Sequence, residues 1–165
     1  MSVQVQALGH IVLKVPDLQL AEVFYLHTLG MKVVLRIEDP PMTFFTLERP
    51  GNHHDFALVE IDEVASRPAN DASGLAHVAF KIGSSAEELR LARSALEIER
   101  NPVLYEAERR FTRSLHVLDP DGNEIELYVD AQTPDPFAPF LGSAPVDTER
   151  AKWDTSCEEI ACTGA

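Results

Sequence analysis

Two octapeptides, LGHIVLKV at residues 8–15 and LAHVAFKI at residues 75–82, share one alternating pattern of apolar and polar positions and carry a histidine at the third place. A repeat of this period means one supersecondary unit built twice. The residues that follow each octapeptide strengthen that reading. Residues 5–14 read as a strand carrying His10. Val15-Pro16-Asp17 then punctuates the chain, with Asp17 as a helix N-cap, and Leu18, Ala21, Phe24 and Tyr25 recur at helical spacing up to Leu29-Gly30. The runs MKVVLRIE, TFFTLER and DFALVEI supply three more strands, separated by turn residues.

The same order returns after a polar stretch. GLAHVAFKI reads as a strand carrying His77, and Ser84-Ser85-Ala86-Glu87-Glu88 offers a capping box for a helix running to about Glu99. PVLYEAE, FTRSLHVLD and EIELYVD follow as strands, the last two joined by an Asp-Pro-Asp-Gly turn. The expectation is an α+β fold of two paired β-α-β-β-β modules forming a curved mixed sheet around a metal-binding cleft. The first module spans residues 1–62, a linker 63–73, the second module 74–130 and an acidic C-terminal arm or tail 131–165. Neither module buries enough surface to stand alone. The tail opens with Pro134, Pro136 and Pro139 around a Phe137, Phe140 and Leu141 cluster, and suits a packed arm at its start and a frayed end.

Bulk charge narrows the partners. With 27 acidic against 14 basic side chains, the formal net charge of -13 repels nucleic acid and anionic membrane at long range. No run of apolar residues is long enough for a membrane span and no basic-then-apolar start marks a signal peptide, so a cytoplasmic protein is expected. Cys157 and Cys162 lie within the last residues, without a CxxC spacing or a nearby histidine, and read as free thiols rather than a disulfide or metal site.

The chemistry-bearing candidates are His10, His77 and Glu126. In EIELYVD, Glu124, Glu126 and Tyr128 share one strand face while Ile125, Leu127 and Val129 share the other. The apolar neighbours of His10 and His77 likewise take the opposite face. Two imidazoles and one carboxylate on cleft-lining faces form a facial triad with open positions, suited to Fe(II) and compatible with Mn(II), Zn(II) or Ni(II). Separations of 67 and 49 residues rule out a local motif such as HExxH, so spacing alone leaves a satisfied core histidine and an ordinary strand carboxylate as the plain alternative.

The paired β-α-β-β-β halves, the opening LGHIVLKVPDLQLAEVFYLHTLGMKV, the central GLAHVAFKI and the closing DPDGNEIEL resemble the vicinal oxygen chelate superfamily, which holds glyoxalases, bleomycin-resistance proteins and extradiol dioxygenases. The resemblance covers roughly residues 6–130. It implies His10, His77 and Glu126 as metal ligands. Glyoxalases and epimerases of that group generally use a fourth protein ligand from the last strand of the first half, where Glu60 lies. The Gly-Asn-His-His-Asp run is instead similar to single-domain type I extradiol ring-cleavage dioxygenases, whose His-His pair would make His54 a pocket acid/base. A polar turn entering a strand accounts equally for His53 and His54. Two departures stand out: His116 occupies the place of a pocket Tyr, and Glu106-Ala107 falls where that family has another His.

The function these features imply is an Fe(II)-dependent dioxygenase for a catechol-like aromatic diol, with dioxygen as co-substrate, no organic cofactor and a homodimeric state. His54 and His116 would be its catalytic side chains, and His53, Tyr105 and Arg113 would meet substrate. Arg113, with Arg109 and Arg110, also fits a solvated strand face. Two other readings stay open: a metal-dependent isomerase, epimerase or thiol transferase, and a non-catalytic small-molecule binding protein of the drug-resistance kind.

Overall fold

A computed structural model describes residues 2–61, 72–109 and 111–130. The linker and the C-terminal arm fall almost wholly outside these residues, as do Arg110 and both cysteines. The described residues order as β1 (Ile11–Val15), α1 (Leu18–Val23), β2 (Lys32–Glu38), β3 (Pro41–Thr46), β4 (Phe56–Glu60), β5 (Val78–Gly83), α2 (Ala86–Ile98), β6 (Tyr105–Glu108), β7 (Thr112–Leu118) and β8 (Glu124–Asp130). This is the β-α-β-β-β order twice over, as the repeat predicts.

The strands form two four-stranded mixed sheets, β1-β4-β3-β2 and β5-β8-β7-β6. In each, the first and last strands of the half pair in parallel and the remaining pairs run antiparallel. The chain separates into two compact units. Among the described residues, the first contains those through Leu75 together with Asp119–Asn123, and the second those of Ala76–Leu118 and Glu124–Asp130.

In the first unit Asp17 caps α1, its Oδ1 accepting from the Leu20 N–H at 2.8 Å. The predicted single helix is in fact α-helical only to Val23 and then widens into a π-helical turn, Phe24–Thr28. The Leu29 N–H bonds back to the Phe24 carbonyl at 3.1 Å, and Gly30, at φ +67°, ends the helix in the left-handed conformation foreseen for it. The face of the sheet toward α1 is aromatic: the Tyr25 ring lies 4.6 Å from Phe56 and 6.0 Å from Phe45, and all three are buried. Burial of side chains this size stabilises the unit by roughly 1.5–3 kcal/mol each. The Tyr25 hydroxyl donates to Asp119 Oδ2 at 2.8 Å, which satisfies a polar atom that would otherwise be stranded in the core.

In the second unit the Ser85 capping box forms. Ser85 Oγ accepts from the Glu88 N–H at 3.3 Å, and Glu88 Oε2 reaches back to the Ser84 N–H at 2.9 Å. Leu96 of α2 is buried with Val78, Leu115, Val117, Ile125, Leu127 and Val129, the apolar face predicted for β8 among them.

One detail differs from expectation at the start of each half. His10 and His77 are not inside strands; each is the residue immediately before one, because β1 and β5 begin at Ile11 and Val78. The reason is pairing. β1 has β4 as its partner, and β4 begins at Phe56, so residues before Ile11 have no strand to bond. Both histidines therefore sit at the N-terminal lip of an equivalent strand.

Candidate functional site

The second unit gathers polar groups on the sheet face turned away from α2. Residue pairing runs in one row across four strands, Ala79 with Glu126, Glu126 with His116, and His116 with Tyr105. His77 has the same strand parity as Ala79 and joins this face. Its Nε2 lies 3.1 Å from Glu126 Oε2, and the His77 and His116 ring centroids are 5.7 Å apart. Glu126 is buried and His116 fully so. Glu126 is therefore not an ordinary exposed strand carboxylate.

His116 is held on every side. Its Nδ1 is 2.7 Å from Glu124 Oε1, its Nε2 is 3.3 Å from Ser114 Oγ and 3.9 Å from Glu126 Oε1, and the Tyr105 ring stacks on it at 4.2 Å. Burial pushes the Glu124 carboxyl up, but hydrogen bonds from Tyr105 and His116 outweigh it and leave its pKa below the usual carboxylate value. Burial and the same Glu124 contact raise the Tyr105 phenol. Nothing local in the sequence marks the link to Glu124. Alternation already put Glu124 on this face; only the β6-β7-β8 register shows that it meets His116 and Tyr105.

The first unit gathers three further histidines. His10 and His54 have ring centroids 4.4 Å apart, His53 and His54 likewise 4.4 Å, and Phe44 packs edge-on against His54 at 5.0 Å. The loop that brings His54 there is organised by the buried Asp55. Its carboxylate accepts from the Leu47 N–H at 2.7 Å, from Asn52 Nδ2 at 2.6 Å and from Arg49 Nε at 2.5 Å. Asn52 also donates to the Gly9 carbonyl at 3.0 Å, tying the loop to the residue before His10. Burial raises the Asp55 carboxyl, yet these donors prevail and its pKa is lowered. His53 is exposed and shares an Nδ1 to Nδ1 contact of 2.5 Å with His54. His54 Nε2 is buried without a hydrogen-bond partner among the described residues. Burial, then the neighbouring His10 and His53, hold its pKa below the ordinary histidine value.

Register settles the position of Glu60. Matching His10 to His77 makes Ile11 the counterpart of Val78; Ile11 pairs with Phe56 and Val78 with Ile125, so Ala57 is the counterpart of Glu126. Glu60, three residues on, has the opposite strand parity. Its Oε2 accepts from the Leu18 N–H at 3.0 Å and so helps cap α1, away from the face that carries His10. Arg113 also lies off the polar face: it shares strand parity with Leu115 and Val117 and is paired with Glu108 at 2.8 Å.

Two donors bound side by side to one ion, with bonds of ~2.1 Å at roughly a right angle, stand ~3.0 Å apart. The 3.1 Å between His77 Nε2 and Glu126 Oε2 fits such a pair. Among the described residues no group of three or more His, Cys, Asp or Glu side chains is gathered as a metal site. The pair in the second unit and His10 in the first are each placed by their own sheet.

Residues 7–127 match the model of the Glyoxalase/Bleomycin resistance protein/Dioxygenase superfamily. The chain belongs to that superfamily. Biphenyl-2,3-diol 1,2-dioxygenase 3 of Rhodococcus globerulus is 34% identical over 128 residues, which are 74% of this chain and 63% of that protein. The chain thus spans less than two thirds of the length of this relative. Among solved structures, a glyoxylase/bleomycin resistance protein/dioxygenase domain from Frankia sp. EAN1pec superposes with a TM-score of 0.65 at 22% identity, covering 78% of this chain and 100% of that one. Lactoylglutathione lyase from Agrobacterium tumefaciens gives 0.57 at 22% identity, covering 74% and 92%. These structures share the superfamily fold, and with it the two mixed sheets. No helix among the described residues is long and apolar enough to cross a membrane.

Proposed function

We propose that this superfamily member is a divalent-metal-dependent extradiol-type dioxygenase that opens a catechol-like aromatic diol, with Fe(II) as the favoured metal and Mn(II), Zn(II) or Ni(II) able to occupy the same ligands. His77 and Glu126 are two of the ligands and His10 is the third. The observation that carries this reading is the register: Glu126 faces its side of the second sheet beside His77, while Ala57 stands at the equivalent place in the first. A set of three protein ligands leaves open positions for both diol oxygens and dioxygen, whereas the four-ligand arrangement of glyoxalases needs a donor where Ala57 has none. The 34% identity to a biphenyl-2,3-diol dioxygenase supports the same chemistry.

Once bound, the metal supplies the acidity that ionises a diol hydroxyl and the electron path from diol to dioxygen, and no organic cofactor is required. The side chains of the chain do the rest. His54 Nε2, buried and without a hydrogen-bond partner among the described residues, takes the proton of the second diol hydroxyl and returns it later. Phe44, packed on His54, gives an aromatic ring an apolar contact. Tyr105 and His53 would meet substrate, and His116, buried beside Glu126 with its Nε2 near Ser114 Oγ, would be the second catalytic side chain. A homodimer in the cytoplasm is the expected setting.

Anaerobic loading with Fe(II) followed by oxygen-electrode measurements on catechol and 2,3-dihydroxybiphenyl tests the proposal. Diol-dependent oxygen uptake at one equivalent per ring opened is the expected result. Turnover of an aldehyde or epoxide with Ni(II) or Zn(II), and no oxygen uptake with Fe(II), would place the chain among the isomerases and transferases instead. Tight aromatic binding without metal would make it a sequestering protein.

A further inference from the structure

The polar face of the second unit carries one carboxylate that the proposed chemistry leaves without a role, Glu124. Two donors converge on its Oε1, the Tyr105 hydroxyl at 2.5 Å and His116 Nδ1 at 2.7 Å. A carboxylate oxygen accepts and cannot donate, so this contact requires the His116 proton to sit on Nδ1. A neutral imidazole carries one proton, so Nε2 is then a bare lone pair. The ring cannot escape by turning. It is fully buried, stacked on Tyr105 with 16° between the planes, and flanked by Ser114 on its Nε2 edge. Ser114 Oγ, 3.3 Å away, is a donor that suits a lone pair at Nε2.

We propose that Glu124 is a positioning residue that locks His116 as the Nδ1–H tautomer and so turns Nε2, as a hydrogen-bond acceptor, toward the Glu126 side of the sheet. In this arrangement Nε2 accepts a hydrogen bond, from the Ser114 hydroxyl, and cannot donate one, which is the role a pocket tyrosine would fill. Tyr105 shares the work, its hydroxyl steadying Glu124 and its ring fixing the imidazole plane. The arrangement parallels the carboxylate partners that orient metal-site histidines in general, applied here to a histidine that is not itself a ligand. The consequence for catalysis rests on the dioxygenase reading; the tautomer does not.

The test is nitrogen NMR of the full chain labelled with 15N-histidine, metal-free and again with Zn(II) added, at about pH 9, above the ordinary imidazole range. The His116 signals are those missing from His116→Asn. The expected wild-type spectrum has a protonated Nδ1 and an unprotonated Nε2. Glu124→Gln, whose amide can donate as well as accept, should admit the Nε2–H form and lower kcat for oxygen uptake roughly 10-fold. Tyr105→Phe should keep the wild-type tautomer. A wild-type His116 with its proton on Nε2, or an unchanged tautomer in Glu124→Gln, overturns the assignment. Should Glu124→Gln fail to fold, the wild-type spectrum alone decides. A wild-type enzyme with the stated tautomer and no oxygen uptake would instead overturn the dioxygenase reading and leave the positioning of His116 standing.

Discussion

The two halves of this chain share one topology and an equivalent pairing at one row of positions, and they differ in what that row carries. In the second half the row reads Ala79, Glu126, His116, Tyr105; in the first it reads Val12, Ala57, Phe44, Leu35. A polar group built on the buried Glu126 and His116 stands where the first half carries Ala57 and Phe44. Sheet pairing is indifferent to which of these it displays, because alternation sends either set to the same face. What the first half keeps is the histidine at the lip of its first strand, and it adds His54 through a loop held by Asp55. Duplication thus sets where side chains can meet, and the second copy holds most of the groups that can do chemistry.

Ala57→Glu probes the comparison most severely. It writes the second half's carboxylate into the first, at a fully buried position. Without metal the variant should lose about 3 kcal/mol to overpacking and an unpaired carboxyl. Added Zn(II) or Ni(II) should recover much of that loss while oxygen uptake falls. Thermal melts with and without metal check this, and a variant that metal does not rescue would break the proposed equivalence.

Asp55→Asn tests how the first half holds His54. Because donors lower the folded-state pKa of Asp55, its contribution is fully present above the unfolded carboxylate value near ~3.9 and is lost as pH falls through that value toward the folded one. Urea titrations should therefore show wild type losing stability more steeply than Asp55→Asn below about pH 4. At pH 7 the variant should be weaker by about 1–3 kcal/mol. A parallel pH dependence in both proteins would deny Asp55 this role.

Tyr25→Phe removes the donor to Asp119 and leaves a buried acceptor short of one partner, at an expected cost of about 1–2 kcal/mol by chemical denaturation. An equal stability would show that the Tyr25 hydroxyl adds nothing beyond its ring. Glu60→Gln should change least, about 0.5–1 kcal/mol through the α1 terminus, with metal content untouched. Lost metal in that variant would return Glu60 to the ligand set.

Much of this could be read along the chain, because the signals are local. Period-two alternation, the Asp17 and Ser85 caps and the Gly30 stop each act within a few residues, and the β-α-β-β-β order follows from them. The sidedness of Glu126 was legible for the same reason. Register was not, since it joins residues more than forty positions apart. Whether Ala57 or Glu60 matches Glu126 depends on how β1 lies against β4, and no residue in DFALVEI announces it. The Glu124 contact with His116 and Tyr105 likewise needs three strands in register. The strand start was overrun at His10 because an apolar alternating pattern continues past the point where a partner strand exists. The π-helical turn after Val23 leaves no compositional mark, as Phe24, Tyr25 and Leu26 suit an ordinary helix as well.

The proposed metal site uses His10, His77 and Glu126 and no donor from the Ala57 or Glu60 positions. Anaerobic Fe(II) titration of the wild type, Glu126→Gln and Glu60→Gln tests it most directly, read by equilibrium metal content per chain. About one Fe(II) per chain is expected in the wild type and in Glu60→Gln, and close to none in Glu126→Gln. Undiminished Fe(II) in Glu126→Gln, or a wild type that takes up no divalent metal, would contradict it.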